Sequence, residues 1–199
     1  MRATRHHHAV SSRWGWGAIH ALRALWMKTA LQVLLSTLTL LCCASPAAAN
    51  TLAEYRVKAA FLINFATFTE WPAAVGSTLN LCVYGPDPFG VEVDKFQGRS
   101  VGGRSLTVMR VNSVDKLESC QIVFITRPVI DNLLRVLDTL RGKPVLTVAD
   151  SPGAMRQGVA LNLGTRQSRV TFEANLATAR GNGLNLSSKL LNLASEVRQ

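Results

Sequence analysis

The stretch that decides the fold is Cys120–Asp150, CQIVFITRPVIDNLLRVLDTLRGKPVLTVAD. It opens with a short apolar run that is typical of a buried strand. Pro128 then stands at a plausible first helical position, and apolar residues recur at helical spacing until Gly142. A second apolar run, PVLTVA, follows at 144–149. Strand, helix and strand in this order predict an α/β fold with a partly parallel sheet.

The same alternation extends in both directions from this stretch. Upstream, Leu79–Gly85 (LNLCVYG) and Leu106–Val111 are predicted to be strands. Downstream, two runs with alternating apolar residues at 159–163 and 170–174 predict an antiparallel pair around a turn at 164–168. We therefore expect a three-layer α/β sandwich with a mixed, largely parallel sheet and an antiparallel strand pair near the C-terminus.

A last helix is expected from about Ser187. Ser187 is a suitable N-cap, and the following Ser188-Lys189 is better explained by a capped helix start than by a serine–lysine nucleophile pair. One face of this predicted helix carries Leu190, Leu191, Ala194 and Val197.

A first helix is predicted from about Leu52 to Glu70. Thr51 and Glu54 fit a capping box, and Val57, Phe61, Asn64/Phe65 and Phe68 recur at helical spacing. The simplest interpretation of this apolar stripe is that it faces the core. Where the helix ends, Phe68, Glu70 and Trp71 form a candidate partner-binding surface, because aromatic side chains are enriched at binding hot spots. The alternative is that the two aromatic rings cover the core, which is favoured for Phe68 and equally weighted for Trp71.

The N-terminal third has the composition of an export signal. From Met27, a lysine, an apolar run over 29–43 and the Ala47-Ala48-Ala49 end predict a signal peptide over residues 27–49. The apolar run is too short for a membrane anchor, and the residues before Cys42 and Cys43 do not suit lipid attachment. Residues 1–26 are interpreted as an upstream extension that arises from a misassigned start codon, and the alternative is a genuine amphipathic leader. Residues 50–199 are then the mature domain, located in the periplasm.

Cleavage at this point changes the chemistry that remains available. Of the 22 Lys and Arg residues, 17 follow residue 49 together with all 12 acidic residues, so the mature net charge is +5. This mild excess contains no dense basic run, so nucleic-acid binding is not expected. All four histidines precede residue 50. Histidine-dependent nucleophile systems and the commonest zinc ligand are therefore excluded from the mature domain.

An acidic residue and a pair of cysteines are the remaining candidates for chemistry in the mature domain. Asp150 ends a predicted strand, where α/β enzymes often hold an acid, but in the sequence DSPG it is interpreted as a turn-forming side chain. Cys82 and Cys120 survive cleavage and would sit where disulfides persist. They form either one intramolecular bridge, structural or redox-sensitive, or two buried free thiols. No catalytic residue, metal ligand or cofactor is expected.

Several motifs taken together resemble the YfiR/HmsC-like periplasmic proteins. They are EYRVKAAFLINFATFTEWP (54–72), LCVYGPDPFG (81–90), CQIVFI (120–125), PVLTVAD (144–150), RVTFEANLATA (169–179) and GLNLSSKLLNLA (183–194). The resemblance covers the whole mature chain in order, and its first and last motifs are the most specific.

This resemblance implies a small, non-catalytic periplasmic protein that is often dimeric. It implies a partner, the periplasmic sensor part of an inner-membrane diguanylate cyclase, whose repression lowers cyclic di-GMP and restrains biofilm formation. Cys82 and Cys120 match the bridge positions of the family, whereas a second cysteine pair found in some members is missing from 153–164. The alternative function is a periplasmic module that binds a small molecule and serves another membrane partner.

Overall fold

The computed structural model describes residues 46–199, with side chains from Thr51 onward. The predicted upstream extension, residues 1–26, and most of the predicted signal peptide, residues 27–49, lie outside the described residues. Within 46–199, no helix combines the length and the apolar character that a membrane crossing requires.

Ten strands and five α-helices make up the described chain. The strands are β1 Thr69–Glu70, β2 Thr78–Tyr84, β3 Ser100–Val101, β4 Arg104–Val111, β5 Ile122–Ile125, β6 Leu146–Ala149, β7 Leu161–Arg166, β8 Arg169–Asn175, β9 Asn185–Leu186 and β10 Glu196–Arg198. The α-helices are α1 Pro46–Thr67, α2 Val91–Asp94, α3 Leu133–Leu140, α4 Leu176–Gly181 and α5 Ser188–Leu191. Short 3-10 helices lie at Val114–Ser119, Arg127–Asn132 and Met155–Gln157.

Eight of these strands form one mixed sheet in the order β10-β8-β7-β6-β5-β2-β4-β3. Its central strands, from β4 to β7, are parallel, whereas β7 and β8 form an antiparallel pair. The small strands β1 and β9 pair antiparallel and form a separate sheet. The predicted largely parallel sheet and the predicted antiparallel pair near the C-terminus are both confirmed.

The sheet is covered on both faces, because its central strands are apolar on both sides. One buried cluster combines α1 residues such as Leu62 and Phe65 with strand residues such as Leu81 and Phe124. The other cluster places α3 and the 3-10 helix at Val114–Ser119 against the opposite face of the same strands. The helices on the two faces and the sheet between them form the three layers expected from the sequence.

The first helix begins earlier and ends earlier than predicted. It runs from Pro46 to Thr67, so Thr51 lies inside the helix and the predicted capping box does not form the helix start. The alanines at 47–49 are strong helix formers, and proline is favoured in the first helical turn, which explains the earlier start. Beyond Thr67, the chain turns into strand β1 rather than continuing to Glu70.

The core face of α1 also differs from the prediction. Tyr55, Ala59, Leu62 and other residues at the same spacing are buried, whereas Val57 is 44% exposed. Phe61 and Phe68 are only partly buried at the edge of the core. Phe65, which also belongs to the predicted stripe, is fully buried in the core. The prediction is therefore confirmed for Phe65 and wrong for Val57, which lies on a second, outer apolar face.

The C-terminal helix is shorter than predicted, and one helix was not predicted at all. The Ser187 hydroxyl does cap α5, where it accepts a hydrogen bond from the Leu190 amide at 3.3 Å. However, α5 ends at Leu191, and Val197 lies in strand β10 beside β8. The unpredicted helix α4 starts after Asn175, whose side chain accepts a hydrogen bond from the Thr178 amide.

Gly85, which follows β2, allows the carboxyl ends of β2 and β5 to approach closely. Its φ of +98° is disfavoured for other residues, and an added Cβ would lie 2.8 Å from Val129 Cγ2.

We expect Gly85→Ala to lower the free energy of unfolding by about 2 kcal/mol, through backbone strain and this clash. Chemical denaturation measures the effect. Gly98→Ala is the matched control, because Gly98 has a φ of +74° but open space around its Cα. An equal loss in both variants would contradict the steric part of this argument.

Candidate functional site

Cys82 and Cys120 form a disulfide bond in the structure. Cys82 lies in the middle of β2, and Cys120 lies two residues before the start of the neighbouring strand β5. Both residues are fully buried in the cluster on the α3 side of the sheet. Of the two alternatives that the sequence left open, the structure therefore contains the bridge, which closes a sequence separation of 38 residues.

The three residues of the predicted partner-binding surface lie together at the end of α1. Phe68 and Trp71 pack against the core but remain partly exposed. The Trp71 indole Nε1 donates a hydrogen bond to the Ala66 carbonyl at 3.0 Å, which holds the ring against the helix end. Glu70 is exposed and belongs to β1, where it pairs with Asn185 of β9.

The outer face of α1 continues this surface along the helix. Val57, Phe61, Asn64 and Phe68 share one face because they are spaced by three or four residues, and we call them the outer stripe. Val57 and Asn64 are exposed, and the two aromatic rings are partly covered. Phe61 lies 5.9 Å from Phe172 between ring centroids, at the border between the outer stripe and the sheet. A helix that is apolar on both faces is typical of one that is covered on both faces.

A buried ion pair joins the inner face of α1 to the end of β6. The Lys58 Nζ lies 2.7 Å from Asp150 Oδ2, and both side chains are fully buried. The Tyr55 hydroxyl donates to the same oxygen at 2.8 Å. Burial, and then the hydrogen bond to the Asp150 carboxylate, raise the pKa of Tyr55, so this hydroxyl stays protonated and acts as a donor.

Two further charged residues complete this cluster. Glu54 Oε1 lies 2.6 Å from the Lys58 Nζ, and this contact lowers the pKa of Glu54. Arg127 Nε lies 3.3 Å from Asp150 Oδ2 and donates to the Asp150 backbone carbonyl at 3.0 Å. The cluster of Glu54, Tyr55, Lys58, Arg127 and Asp150 therefore contains two positive and two negative charges.

The interpretation of Asp150 as a turn-forming residue is wrong. Its side chain does not bond to the following turn but points to Lys58 and Tyr55, which are more than 90 residues away in the sequence. The sequence feature that could have indicated a buried role for Asp150 is its position at the carboxyl end of a parallel strand. Folds of this type often place functional polar groups there.

Asp150 also borders a cavity of about 460 Å³. Strand β6 stops at Ala149, which pairs with Asn162, whereas β7 continues to Arg166 and turns back into β8. The β7–β8 hairpin therefore extends past the end of β6 and forms a wall beside Asp150. We call this cavity the hairpin pocket; its polar lining includes Arg127, Asp150, Asn162, Arg166, Thr171 and Glu173. A neighbouring cavity of about 450 Å³ shares Arg127 and Pro152 with it.

Three buried polar atoms at this end of the sheet have no hydrogen-bond partner among the described residues. They are Asp150 Oδ1, Ser151 Oγ and Asn162 Oδ1. In residues 46–199, no group of three or more histidine, cysteine, aspartate or glutamate side chains is arranged to hold a metal ion.

Comparison with solved structures reveals similarity at the level of the fold. An ABC domain from Streptococcus pneumonia, solved in complex with L-Trp, aligns with a TM-score of 0.50 and 9% identity, over 70% of this chain and 60% of that chain. A conserved domain protein from Vibrio cholerae O1 biovar El Tor aligns with a TM-score of 0.45 and 10% identity, over 71% and 59%. The chain thus covers about three fifths of each of these proteins.

Comparison with family models gives a direct assignment. The model described as YfiR/HmsC-like matches residues 55–195. This range begins at Tyr55, contains both cysteines of the disulfide and ends after α5. Because the match covers more than half of the chain and nearly all of its described part, this protein belongs to the YfiR/HmsC-like family.

Proposed function

We propose that this protein binds the periplasmic sensor part of an inner-membrane diguanylate cyclase and holds that cyclase inactive. The observation that carries the proposal is the family match over residues 55–195. At the level of the family, YfiR/HmsC-like proteins are periplasmic, non-catalytic regulators of diguanylate cyclase. Repression by direct binding, with a consequent restraint of biofilm formation, is the specific step that we propose for this chain.

The surface proposed to contact the cyclase is the outer stripe of α1 together with Phe68, Glu70 and Trp71. Partly exposed aromatic rings beside an exposed carboxylate resemble the centre and rim of a protein interface. Val57 extends the apolar part of this surface by about three helical turns from Phe68. A partner on this surface would cover the second apolar face of the helix.

In this proposal, the protein represses the cyclase by shifting the equilibrium between the active and inactive states of the sensor. The regulator must bind the inactive state of the sensor more tightly than its active state, because equal affinity for both states would shift nothing. The disulfide contributes by keeping the regulator folded.

The first experiment removes the gene from its host and measures cyclic di-GMP. We expect the level to rise, because the cyclase loses its repressor, and to return when the wild-type gene is supplied in trans. An unchanged cyclic di-GMP level in the deletion strain would contradict the proposed function.

The second experiment tests the surface with a charge reversal. Glu70→Lys should weaken binding to the purified sensor part about tenfold or more, because a like or unpaired charge at an interface is costly. Asp115→Lys is the matched control, since Asp115 is also exposed but lies in the 3-10 helix on the opposite layer. Affinity is measured by calorimetry and oligomeric state by light scattering. If both variants bound the sensor part with equal affinity, another surface would bind the cyclase. The same conclusion would follow if Glu70→Lys disrupted a homodimer of this protein without changing its affinity for the sensor part.

A further inference from the structure

One end of the sheet is covered by α1 on one side and is open on the other. The α1 side of β7 and β8 carries Leu161, Leu163 and Phe172, which all belong to the core cluster on that side. Among residues 46–199, the cluster on the α3 side contains no residue of β7, β8 or β10. Two cavities lie against this open side, the hairpin pocket of about 460 Å³ and an adjoining cavity of about 290 Å³ that shares Gly153 and Glu173 with it.

The strand registers show which side chains the open side carries. Antiparallel partners lie on the same side of a sheet, so Arg166 and Arg169 share one side with Asn162 and Glu173. Strand β10 continues this side beyond Glu173. We call the following set of residues the open face: Asn162, Gly164, Arg166, Arg169, Thr171, Glu173, Glu196 and Arg198.

Arginine is the main charged residue on and around the open face. Arg127 and Arg156 line the two cavities from the 3-10 helices that follow β5 and β6. Together with the three arginines of the open face, they outnumber its two glutamates. The Asp150 carboxylate does not offset them, because it is fully buried and paired with Lys58. The region is therefore positively charged.

Most of these arginines are not used by the fold. Four of the five are exposed and form no ion pair with another described residue: Arg156, Arg166, Arg169 and Arg198. The fifth, Arg127, is also exposed and contacts Asp150 through its Nε alone. By contrast, Arg110 on the other side of the molecule forms ion pairs with both Asp87 and Asp94. The guanidinium groups at the open face are thus accessible to an anionic partner.

Two of the arginines repel each other. Arg166 and Arg169 are direct cross-strand partners at the end of the β7–β8 hairpin, and like charges in this position destabilise a sheet. A carboxylate bound between them would offset this repulsion. Arginine is well suited to such binding, because its planar donors match the two oxygens of a carboxylate.

A second positive end lies further along the open face. Arg198 is in register with Asn175, which is six residues along β8 from Arg169 and therefore about 20 Å away. Glu173 and Glu196 lie between the two positive ends. The charge pattern along the face is positive, negative, positive, and an extended chain of about six to eight residues is long enough to span it.

A peptide segment fits this pattern better than a membrane surface does. A flat anionic lipid surface would meet the two glutamates as well as the arginines, and the open face carries no Phe, Trp, Leu or Ile side chain that could enter a bilayer. An extended peptide can place acidic side chains at the arginines and amide or lysine donors at the glutamates.

From these observations we infer that the open face binds an extended segment of a partner protein that is acidic at both ends and carries donor groups at its centre. The open face lies on the opposite side of the sheet from α1. The inference therefore does not depend on the proposed contact between α1 and the cyclase.

The test uses the purified protein with its disulfide intact and a fluorescent probe peptide, Asp-Asp-Ser-Thr-Lys-Thr-Ser-Asp-Asp, blocked at both termini. Fluorescence anisotropy and calorimetry measure binding. We expect a Kd of about 0.1 mM or tighter at low salt. Raising the sodium chloride concentration from about 20 mM to about 200 mM should weaken binding about fivefold, because exposed charges are screened. A peptide with the charges reversed should not bind.

Substitutions locate the binding. Arg166→Ala/Arg169→Ala should weaken peptide binding about tenfold or more, because both donors to one acidic end are lost. The same variant should unfold no more readily than the wild type, since the substitutions remove a repulsive pair. Arg135→Ala/Lys189→Ala is the matched control, because it also removes two exposed positive charges that form no ion pair with described residues and lie outside the open face.

Two rival anionic partners are tested in parallel, polygalacturonate as a carboxylate-bearing polysaccharide and phosphatidylglycerol vesicles as a membrane. The inference is supported if the probe peptide binds, if the arginine variant alone loses affinity and if both rivals bind more weakly. It is overturned if the peptide does not bind, if the charge-reversed peptide binds equally well or if the control variant loses as much affinity. Tighter binding of either rival to the open face would also overturn it.

Discussion

Removing the disulfide by Cys82→Ala/Cys120→Ala is expected to lower the free energy of unfolding by about 4 kcal/mol. The bridge joins residues separated by 38 positions, and a loop of this length gives that value in the chain-entropy model. For a domain of this size, the midpoint of thermal unfolding should fall by about 10 °C. Denaturant unfolding followed by circular dichroism measures the loss.

A reductant provides the matching test for the disulfide. Wild-type protein in excess dithiothreitol should approach the stability of the double alanine variant, while that variant itself should not respond. A wild-type unfolding curve that is the same with and without reductant would show that the bridge contributes nothing to stability. Cys82 and Cys120 are both fully buried, so the reduction must be allowed to reach completion.

Replacing Lys58 with methionine is expected to lower the free energy of unfolding by about 3 kcal/mol. Removing one partner of a buried ion pair leaves the other charge uncompensated, which typically costs about 3–5 kcal/mol. The lower end of this range applies because Tyr55 and Arg127 remain beside Asp150. Chemical denaturation of the purified variant measures the effect.

Two comparisons separate this effect from loss of a lysine in general. Lys143→Met removes an ion pair with Glu118 in which both side chains are exposed, and it should change the stability by less than about 1 kcal/mol. The double variant Lys58→Met/Asp150→Asn should be more stable than Lys58→Met alone, because no buried charge is then left unpaired. If Lys58→Met were no less stable than Lys143→Met, the buried pair would have no structural role.

The sheet could be predicted from the sequence because its signals are local. The runs that became β2, β5 and β6 are short, apolar and bounded by glycine, proline or polar residues. The β7–β8 hairpin shows alternation on both sides of a turn in which Gln167 and Ser168 adopt positive φ. Elements with weak local signals were missed: α4 has only six residues, and Val197 fits a helix face as well as an edge strand.

The polar cluster and the orientation of α1 could not be predicted in the same way. The contact between Lys58 and Asp150 spans 92 residues, and neither position carries a local pattern that identifies the other. Lys58 also interrupts the core stripe of α1, and its buried partner Asp150 is far away in the sequence. Spacing therefore identified the core residue Phe65 but also included Val57, which is exposed.

The two oxygens of Asp150 have different surroundings, and this has a thermodynamic consequence. One oxygen holds Lys58 and Tyr55 on α1, while the other is buried and accepts no hydrogen bond among the described residues. The carboxyl end of β6 and the inner face of α1 therefore share a single negative charge. A change that displaces α1 also removes the donors that make a buried carboxylate tolerable at the end of this strand.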